Sequence, residues 1–533
     1  MHICRAREPA GERSSVDVDR SPDAIGAHLE DAAHFPDGHA DGIARPRSEA
    51  EVAELLRLAT HVLPIGAQSS VTGGATPAGG LVISSGRLTA IHESGHTHFR
   101  VGAGVALETL QNLLTARGRW YAPVPTFTGA FVGGVVSTNA AGAGTFKYGA
   151  TRAWVDGLIV VLPCGHVIDL ARGEVQADPR DGFEIVCGHG RRRFQPGTYR
   201  PPAVAKCSAG YFAAPDMDLI DLFIGAEGTL GVIVEATVRV LPAPPAIAMA
   251  LVPVRSERDG LALVNELRRA SQATWQSRDP SGIDIAAIES LDRRCLEVLR
   301  QDGVDKAHGV GWPDETDLLL IVQIELPAGT TAATAFDEIQ DALAPSAPNT
   351  PLTRFCQLLQ RHGVFETAEL AMPGDLRRLR QLLAVRESAP AGVNRRVGDA
   401  KRRDPRIDKT AADMIVPFDR FGDILAIYRH GYERRGLDYA VWGHISDGNV
   451  HPNVIPRDYA DVEAGREAIL EFGREAVRLG GCPLAEHGVG RSPLKQALLR
   501  QLYGDEGIEE MRAIKRAIDP EWKLAPGVLF TRA

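Results

Sequence analysis

No stretch of this 533-residue sequence is apolar for the roughly 18 residues a membrane helix needs, so a transmembrane segment is not expected. Met1 to Arg20 is polar and charged, without the apolar core of a signal peptide. The seven cysteines, at positions 4, 164, 187, 207, 295, 356 and 482, contain no C-x-x-C pair. That argues against an iron–sulfur cluster or a disulfide framework and for a reducing cytoplasm. Basic charge is also short: 59 Lys and Arg against 68 Asp and Glu give a net charge of -9, with no long Lys/Arg block. A nucleic-acid-binding face is not expected from that balance. Neither a Walker loop nor the G-x-G-x-x-G of a dinucleotide fold is present.

What the chain does have is an ordinary globular composition, 44% hydrophobic and 24% charged. It is too long for one core, so two or three domains are expected. A leader, 1–43, carries a short helix near Ala24–Ala33. Ser48 followed by Glu51 forms a capping box that opens an amphipathic helix to Ala59. Strands are predicted at His61–Ile65, Gly80–Leu88, Val155–Leu162, Val234–Leu241 and Leu318–Leu326, and a helix at Gly260–Ala270. Glu184–Ala203 reads as a loop insertion with an unexplained basic run, Arg191-Arg192-Arg193. The second basic run, Lys401-Arg402-Arg403, reads as solvated loop charge or, alternatively, as a hold for an anionic substrate tail or an acceptor protein.

Three glycine-rich loops lie between strands in the first 250 residues: Pro64 to Gly74, Pro125 to Gly142 and Phe223 to Ile233. Small residues let backbone N–H groups approach an anion, and Ser and Thr hydroxyls add donors. One such loop is an ordinary turn; three point to an extended ligand lying along backbone.

Further on, Gly443-His444-Ile445-Ser446-Asp447-Gly448-Asn449-Val450-His451 suits a strand, a turn and a return that bring two imidazoles to one point. Glu486-His487-Gly488 follows about 35 residues later. Two His and one Glu form a common set for a divalent metal with an open position. The other reading is that His444 and His451 are hydrogen-bonded core residues and Glu486 caps a helix. Glu486 and His487 point to opposite faces of an extended segment. Both serve one site only if the backbone turns, as Gly488 and Gly490 allow.

The three loops, in this order and spacing, resemble the flavin-binding domain of the vanillyl-alcohol oxidase / para-cresol methylhydroxylase superfamily. The C-terminal motifs are similar to those of its D-2-hydroxy-acid dehydrogenase branch. The resemblance implies an α+β fold. A two-subdomain FAD-binding domain (44–243) precedes an α+β cap and substrate domain (244–480), and a C-terminal segment (481–533) packs back on the FAD domain. It implies FAD held by Pro64, Gly66, Ala67, Gln68, Ser69, Ser70 and Thr72 in the first loop. Pro125, Thr126, Gly129, Gly133, Gly134, Ser137, Thr138 and Asn139 follow in the second, and Glu227, Gly228, Gly231 and Ile233 in the third. Some relatives tether FAD through a histidine in the first loop; here Ser69 and Ser70 stand there, so non-covalent FAD is expected.

By the same resemblance His444, His451 and Glu486 are ligands of a divalent metal (Zn, Mn or Fe), and His487 is the catalytic base. Arg386 grips the substrate carboxylate, while Lys409 and Asn453 contact the substrate. Lys206 to Tyr211 resembles the family's Lys-x-x-x-Gly-Tyr element. Near the C-terminus Ala525-Pro526-Gly527-Val528 departs from the family's Asn-Pro-Gly-Lys. The implied activity is oxidation of a D-2-hydroxy acid to a 2-oxo acid. Electrons would leave to a cytochrome, quinone or electron-transfer flavoprotein, since no nicotinamide fingerprint is present. A cytoplasmic protein is expected, with peripheral membrane association and a homodimer left open. Competing readings are an oxidase or bond-forming relative on the same fold, a metal-dependent hydrolase, and a non-catalytic flavoprotein subunit.

Overall fold

The structure, a computed structural model, describes residues 2–11 and 16–532. Of the expected leader, residues 1 and 12–15 lie outside the described residues. The chain forms two units. The first is built from residues up to Gly142, from Gly149–Pro242 and from Gly480 onwards; the second from Ala143–Tyr148 and Ala243–Leu479. Helices and sheets mix in both, so the fold is α+β.

In the first unit a four-stranded sheet has Val18–Asp19, Gly42–Ala44, Leu81–Ser84 and Val62–Ile65 in that order, the last three parallel. The helix Glu49–Leu58 supplies the crossover that parallel pairing requires. Ser48 caps it, its hydroxyl accepting from the Glu51 N–H at 3.2 Å, while the Glu51 carboxylate accepts from the Arg47 N–H. An antiparallel sheet follows in the order Val167–Ala171, Val155–Val161, Val232–Arg239, His98–Gly102, Ile91–Glu93. Val52, Leu56, Val62, Ile83, Ile159, Val161 and Leu524 belong to one apolar core beneath these elements. Leu524 reaches it because residues past the helix Pro493–Ile518 run back along the sheet edge. Ala525 N–H donates to the Val62 carbonyl at 2.7 Å, and Lys523 Nζ to the Leu56 carbonyl at 2.6 Å.

Three sequence readings change. The first helix is shorter, Pro22–Gly26. The chain beyond it is shaped by Asp31, whose carboxylate accepts from Ala33, Phe35 and Gly73 N–H groups. The stretch after Phe183 is a hairpin, Phe183–Cys187 with Gly190–Phe194, rather than a loop. Strand alternation explains its basic run: Arg191 and Arg193 both pair with Glu184 on one face, and Arg192 donates to the Ala517 carbonyl from the other. The 401–403 run ends the helix Leu376–Arg403, where cations complement the carbonyl end of the helix dipole.

The second unit centres on a seven-stranded antiparallel sheet. Its order is Glu369–Ala371, Ala246–Val254, Leu318–Leu326, Ile285–Asp292, Tyr439–His444, Asn449–Val454, Met414–Ile415. Leu291, Leu319, Ile321 and Trp442 on the strands pack with Leu382, Val385 and Ala389 of the long helix. That packing fixes the rotation of the helix and hence the direction of Arg386, one residue past Val385.

Candidate functional site

The first unit contains a cavity of about 390 Å³ walled by all three glycine loops. Pro64, Gly66, Ala67, Gln68, Ser69 and Ser70 line it from the first loop, and Pro125, Thr126, Gly133, Gly134, Ser137 and Thr138 from the second. Glu227, Gly228, Gly231 and Ile233 line it from the third. The wall is mostly backbone, hydroxyl and small apolar side chains, which suits an extended cofactor carrying phosphates.

Three residues expected to contact the cofactor do not line this cavity. The Thr72 carbonyl accepts from the Arg491 and Ser492 N–H groups. Gly129 lies under the Phe127 ring, 2.6 Å from where its Cβ would be. Asn139, at φ +47°, accepts from the Arg152 N–H at 2.9 Å and lines a different cavity.

Glu486 and His487 line the same cavity as the loops. The backbone turns behind them at Gly488 (φ +74°) and Gly490 (φ +57°). Glu227 holds that turn: its carboxylate accepts from the Val489 N–H at 2.7 Å and the Gly490 N–H at 2.8 Å. Burial pushes Glu227 up to about 7 despite those two donors, which pull it down. Glu486 is paired with the fully buried Lys206, Oε2 to Nζ 2.9 Å, rather than capping a helix. His487 Nε2 lies 3.6 Å from the other Glu486 oxygen.

In the second unit the histidine motif is a hairpin. Trp442 pairs with His451 and His444 with Asn449. Side chains alternate along a strand and match across a pair, so His444, Trp442 and His451 share one face. Gly448 (φ +86°) closes the turn, and the rings of His444 and His451 stand 5.6 Å apart at 89°.

The neighbouring strand pairs Ser290 with Gly443, which sets Glu289 opposite His444. Glu289 bonds His444 Nδ1 with one oxygen and Arg386 Nε with the other, the latter at 2.6 Å. Burial raises this carboxyl, but His444 and Arg386 outweigh it and hold Glu289 well below the usual carboxylate range. Asp413 Oδ1 lies 3.5 Å from His451 Nδ1 and accepts from Asn449 Nδ2. Asn453 is buried and donates to the His451 carbonyl; Lys409 is exposed on the loop after the long helix.

Glu289, Asp413 and the Lys206–Glu486 pairing were not among the sequence-derived site residues. A lone carboxylate within Ile285-Ala286-Ala287-Ile288-Glu289 is the signal that marks Glu289, since a buried strand does not hold an unpaired charge.

A pair of buried, partnered histidines lies in one unit and a glycine-walled cavity in the other. Residues 40–171 match the FAD binding domain model, and residues 254–529 match the model of FAD linked oxidases, C-terminal domain. The second spans more than half of the chain, and the chain belongs to the FAD-linked oxidases.

Curated relatives include the glycolate oxidase subunit GlcD of Bacillus subtilis, 26% identical over 92% of this chain and 89% of the relative. A D-lactate dehydrogenase of Archaeoglobus fulgidus is 26% identical over 91% of this chain and 90% of the relative. A D-2-hydroxyglutarate dehydrogenase of Xanthomonas citri is 29% identical over 92% and 89%. Among solved structures, an alkyldihydroxyacetonephosphate synthase superposes with a TM-score of 0.58 at 15% identity, covering 96% of this chain and 82% of that one. This last likeness is one of fold alone. Among the described residues no helix is long and apolar enough to cross a membrane.

Proposed function

We propose that the protein oxidises a D-2-hydroxy acid to the 2-oxo acid, with FAD non-covalently bound and a divalent metal held by His444, His451 and Glu486. The observation that carries this reading is the Arg386–Glu289–His444 chain in the second unit. A carboxylate on Nδ1 fixes the imidazole and directs Nε2 outward as a ligand, which is how metal-binding histidines are oriented. The same carboxylate fixes an arginine beside it, ready for a second, substrate carboxylate. In the first unit, support comes from Glu486 and His487 on the wall of the glycine-loop cavity.

When bound, the flavin supplies a two-electron acceptor and the metal supplies Lewis acidity toward the substrate hydroxyl. The chain's own residues do the rest. Arg386 and Asn453 orient the acid, and Lys409 faces its distal end. His487 takes the hydroxyl proton, a task suited to an imidazole near neutral pH. Lys206 balances the charge of Glu486 within a buried setting. The names of the relatives D-lactate dehydrogenase and D-2-hydroxyglutarate dehydrogenase favour this substrate class, and a cytochrome, quinone or electron-transfer flavoprotein is the proposed acceptor.

The test is an anaerobic titration of the purified yellow protein with D-lactate, D-2-hydroxyglutarate and glycolate, with and without chelator. Bleaching of the flavin band by one acid, abolished by chelator, is expected. Bleaching that chelator leaves untouched removes the metal from the reading. A flavin band that no hydroxy acid bleaches removes the substrate class.

A further inference from the structure

The first unit holds a second cluster of metal-ligating side chains that the redox reading does not use. It is built from a repeated tripeptide. Cys164-Gly165-His166 lies in the turn between strands Val155–Val161 and Val167–Ala171. Cys187-Gly188-His189 lies at the turn between Phe183–Cys187 and Gly190–Phe194. Residues 3–7 tie the two hairpins together: Ile3–Arg5 pairs with Glu184–Val186, and Arg7 bridges to Val167. The two turns therefore meet. One sulfur from each cysteine and one imidazole nitrogen of His166 lie within 4.8 Å of one another. The His189 ring stands edge-on to His166, 5.1 Å between centroids.

Three features mark this as a site rather than a chance grouping. His166 is only 5% exposed, and its Nδ1 is buried without a hydrogen-bond partner among the described residues. An orphaned buried imidazole nitrogen costs free energy unless something meets it. Its Nε2 lies 3.1 Å from Glu8 Oε1 and 3.2 Å from the Gly188 N–H. The Gly188 N–H donates to Nε2; ligation through Nδ1 requires the tautomer with the proton on Nε2, where Glu8 Oε1 is placed to accept it. The glycines keep the turns close: a Cβ on Gly188 would sit 2.6 Å from His166 Nε2, and one on Gly165 2.7 Å from Arg57 Cγ.

We propose that Cys164, His166, Cys187 and His189 bind one structural Zn²⁺ that clamps the two hairpins. Two thiolates and two neutral imidazoles are a tetrahedral donor set for this ion. Ligand atoms around tetrahedral zinc lie about 3.3–3.8 Å apart, so the turns close slightly and His189 rotates in from the exposed side. Binding displaces the two thiol protons, and the site carries no net charge once filled. Its cavity, bordered also by Glu8 and Arg192, shares no lining residue with the glycine-loop cavity, so the ion holds structure and takes no part in turnover. The inference does not rest on the redox reading above.

Zinc-edge X-ray absorption of the wild-type holoprotein tests it without any variant. A sulfur shell at about 2.3 Å beside nitrogen at about 2.0–2.1 Å is expected. The ion proposed at His444, His451 and Glu486 has only nitrogen and oxygen neighbours, so sulfur reports this site alone. The double variant Cys164→Ser/Cys187→Ser should lose one equivalent of zinc and the sulfur shell, with flavin reduction by substrate within about twofold of wild type. His189→Cys should keep the ion and gain a sulfur neighbour, which separates ligation from a failure to fold. Absence of the sulfur shell in zinc-replete wild type, or a Cys164–Cys187 disulfide in unreduced peptides, overturns the proposal. So does zinc content unchanged in the double variant.

Discussion

Arg386 and His444 are held by the two oxygens of one buried carboxylate, Glu289, although they come from a helix and a strand. Removing that carboxylate takes one charged partner from a buried guanidinium and one from a buried imidazole. Breaking a buried pair in this way costs about 3–5 kcal/mol, and losing the carboxylate behind a ligating histidine costs about 10–100-fold in metal affinity or activity. Glu289→Gln should therefore lower both, read by urea unfolding and by metal content with the flavin-bleaching rate. The pH dependence has a definite sign. Because the folded carboxyl sits below its unfolded value of 4.5, its stabilisation is present above that pH and is lost as the pH falls further. The variant should lose less stability than wild type on acidification below about 4.5. Equal acid sensitivity in the two proteins would remove Glu289 from this role.

Gly448 sets the turn between the two histidines. A Cβ there would lie 2.4 Å from the Val416 carbonyl oxygen, and its φ of +86° is one that side chains resist. Gly448→Ala should cost at least about 1–2 kcal/mol. Because His444 and His451 are spaced by this turn, metal content should fall with stability. A variant with wild-type metal content and melting temperature would show that the turn does not set the spacing.

How much of this was legible in the sequence depended on separation along the chain. The His444–His451 hairpin could be read because Asp447-Gly448-Asn449 is a local turn signal between residues that end up adjacent. The glycine loops could be read for the same reason, and the FAD binding domain model spans the first two of them. Glu289 is 155 residues from His444 and Lys206 is 280 from Glu486, so only the fold pairs them. The run Arg191-Arg192-Arg193 stays unexplained in the sequence because three residues are too few to show alternation. Its period of two became visible only with Glu184 across the strand. Thr72 and Asn139 match the loop pattern but do not line the cavity; the Thr72 carbonyl accepts from the Arg491 and Ser492 N–H groups and Asn139 from that of Arg152, pairings local sequence does not encode.

Glu227 fastens the Gly488–Gly490 turn with two backbone hydrogen bonds, and a Gln amide can accept only one of them. Glu227→Gln should leave a buried N–H unsatisfied, at a cost of about 1–3 kcal/mol. The sign with pH is opposite to that of Glu289. The folded carboxyl is raised from 4.5 to about 7, so its contribution is full below 4.5 and is lost as the pH rises to about 7. Urea unfolding at several pH values across that window should show a downward slope in wild type that the variant lacks. A slope shared by both assigns the effect to another group.

Ser69 and Ser70, rather than a histidine that could tether flavin covalently, stand on the cavity wall in the first glycine loop. Neither hydroxyl forms such a bond, so acid precipitation should release all of the flavin into the supernatant. Yellow colour retained in the pellet would show a covalent link elsewhere in the cavity wall.

His487 differs from Glu486 in being about one-third exposed, 35% against 8% for the side chains, on the wall of the same cavity. Exposure to the cavity is what a proton acceptor for a bound substrate needs, and burial against Lys206 is what a charged ligand residue needs. General-base catalysis contributes about 10²–10⁴-fold. His487→Ala should lose a factor in that range in the rate of anaerobic flavin reduction, with the flavin spectrum and metal content kept. The loss should fall on kcat, since an interaction made with the departing proton acts in the transition state rather than on binding. Glu486→Gln should instead lose metal, because it removes a negative ligand. A His487 variant that reduces flavin within tenfold of wild type would end its assignment as the base. Metal loss in that variant would move it into the ligand set, because the geometry between Glu486 and His487, 3.6 Å from nitrogen to oxygen, suits either role.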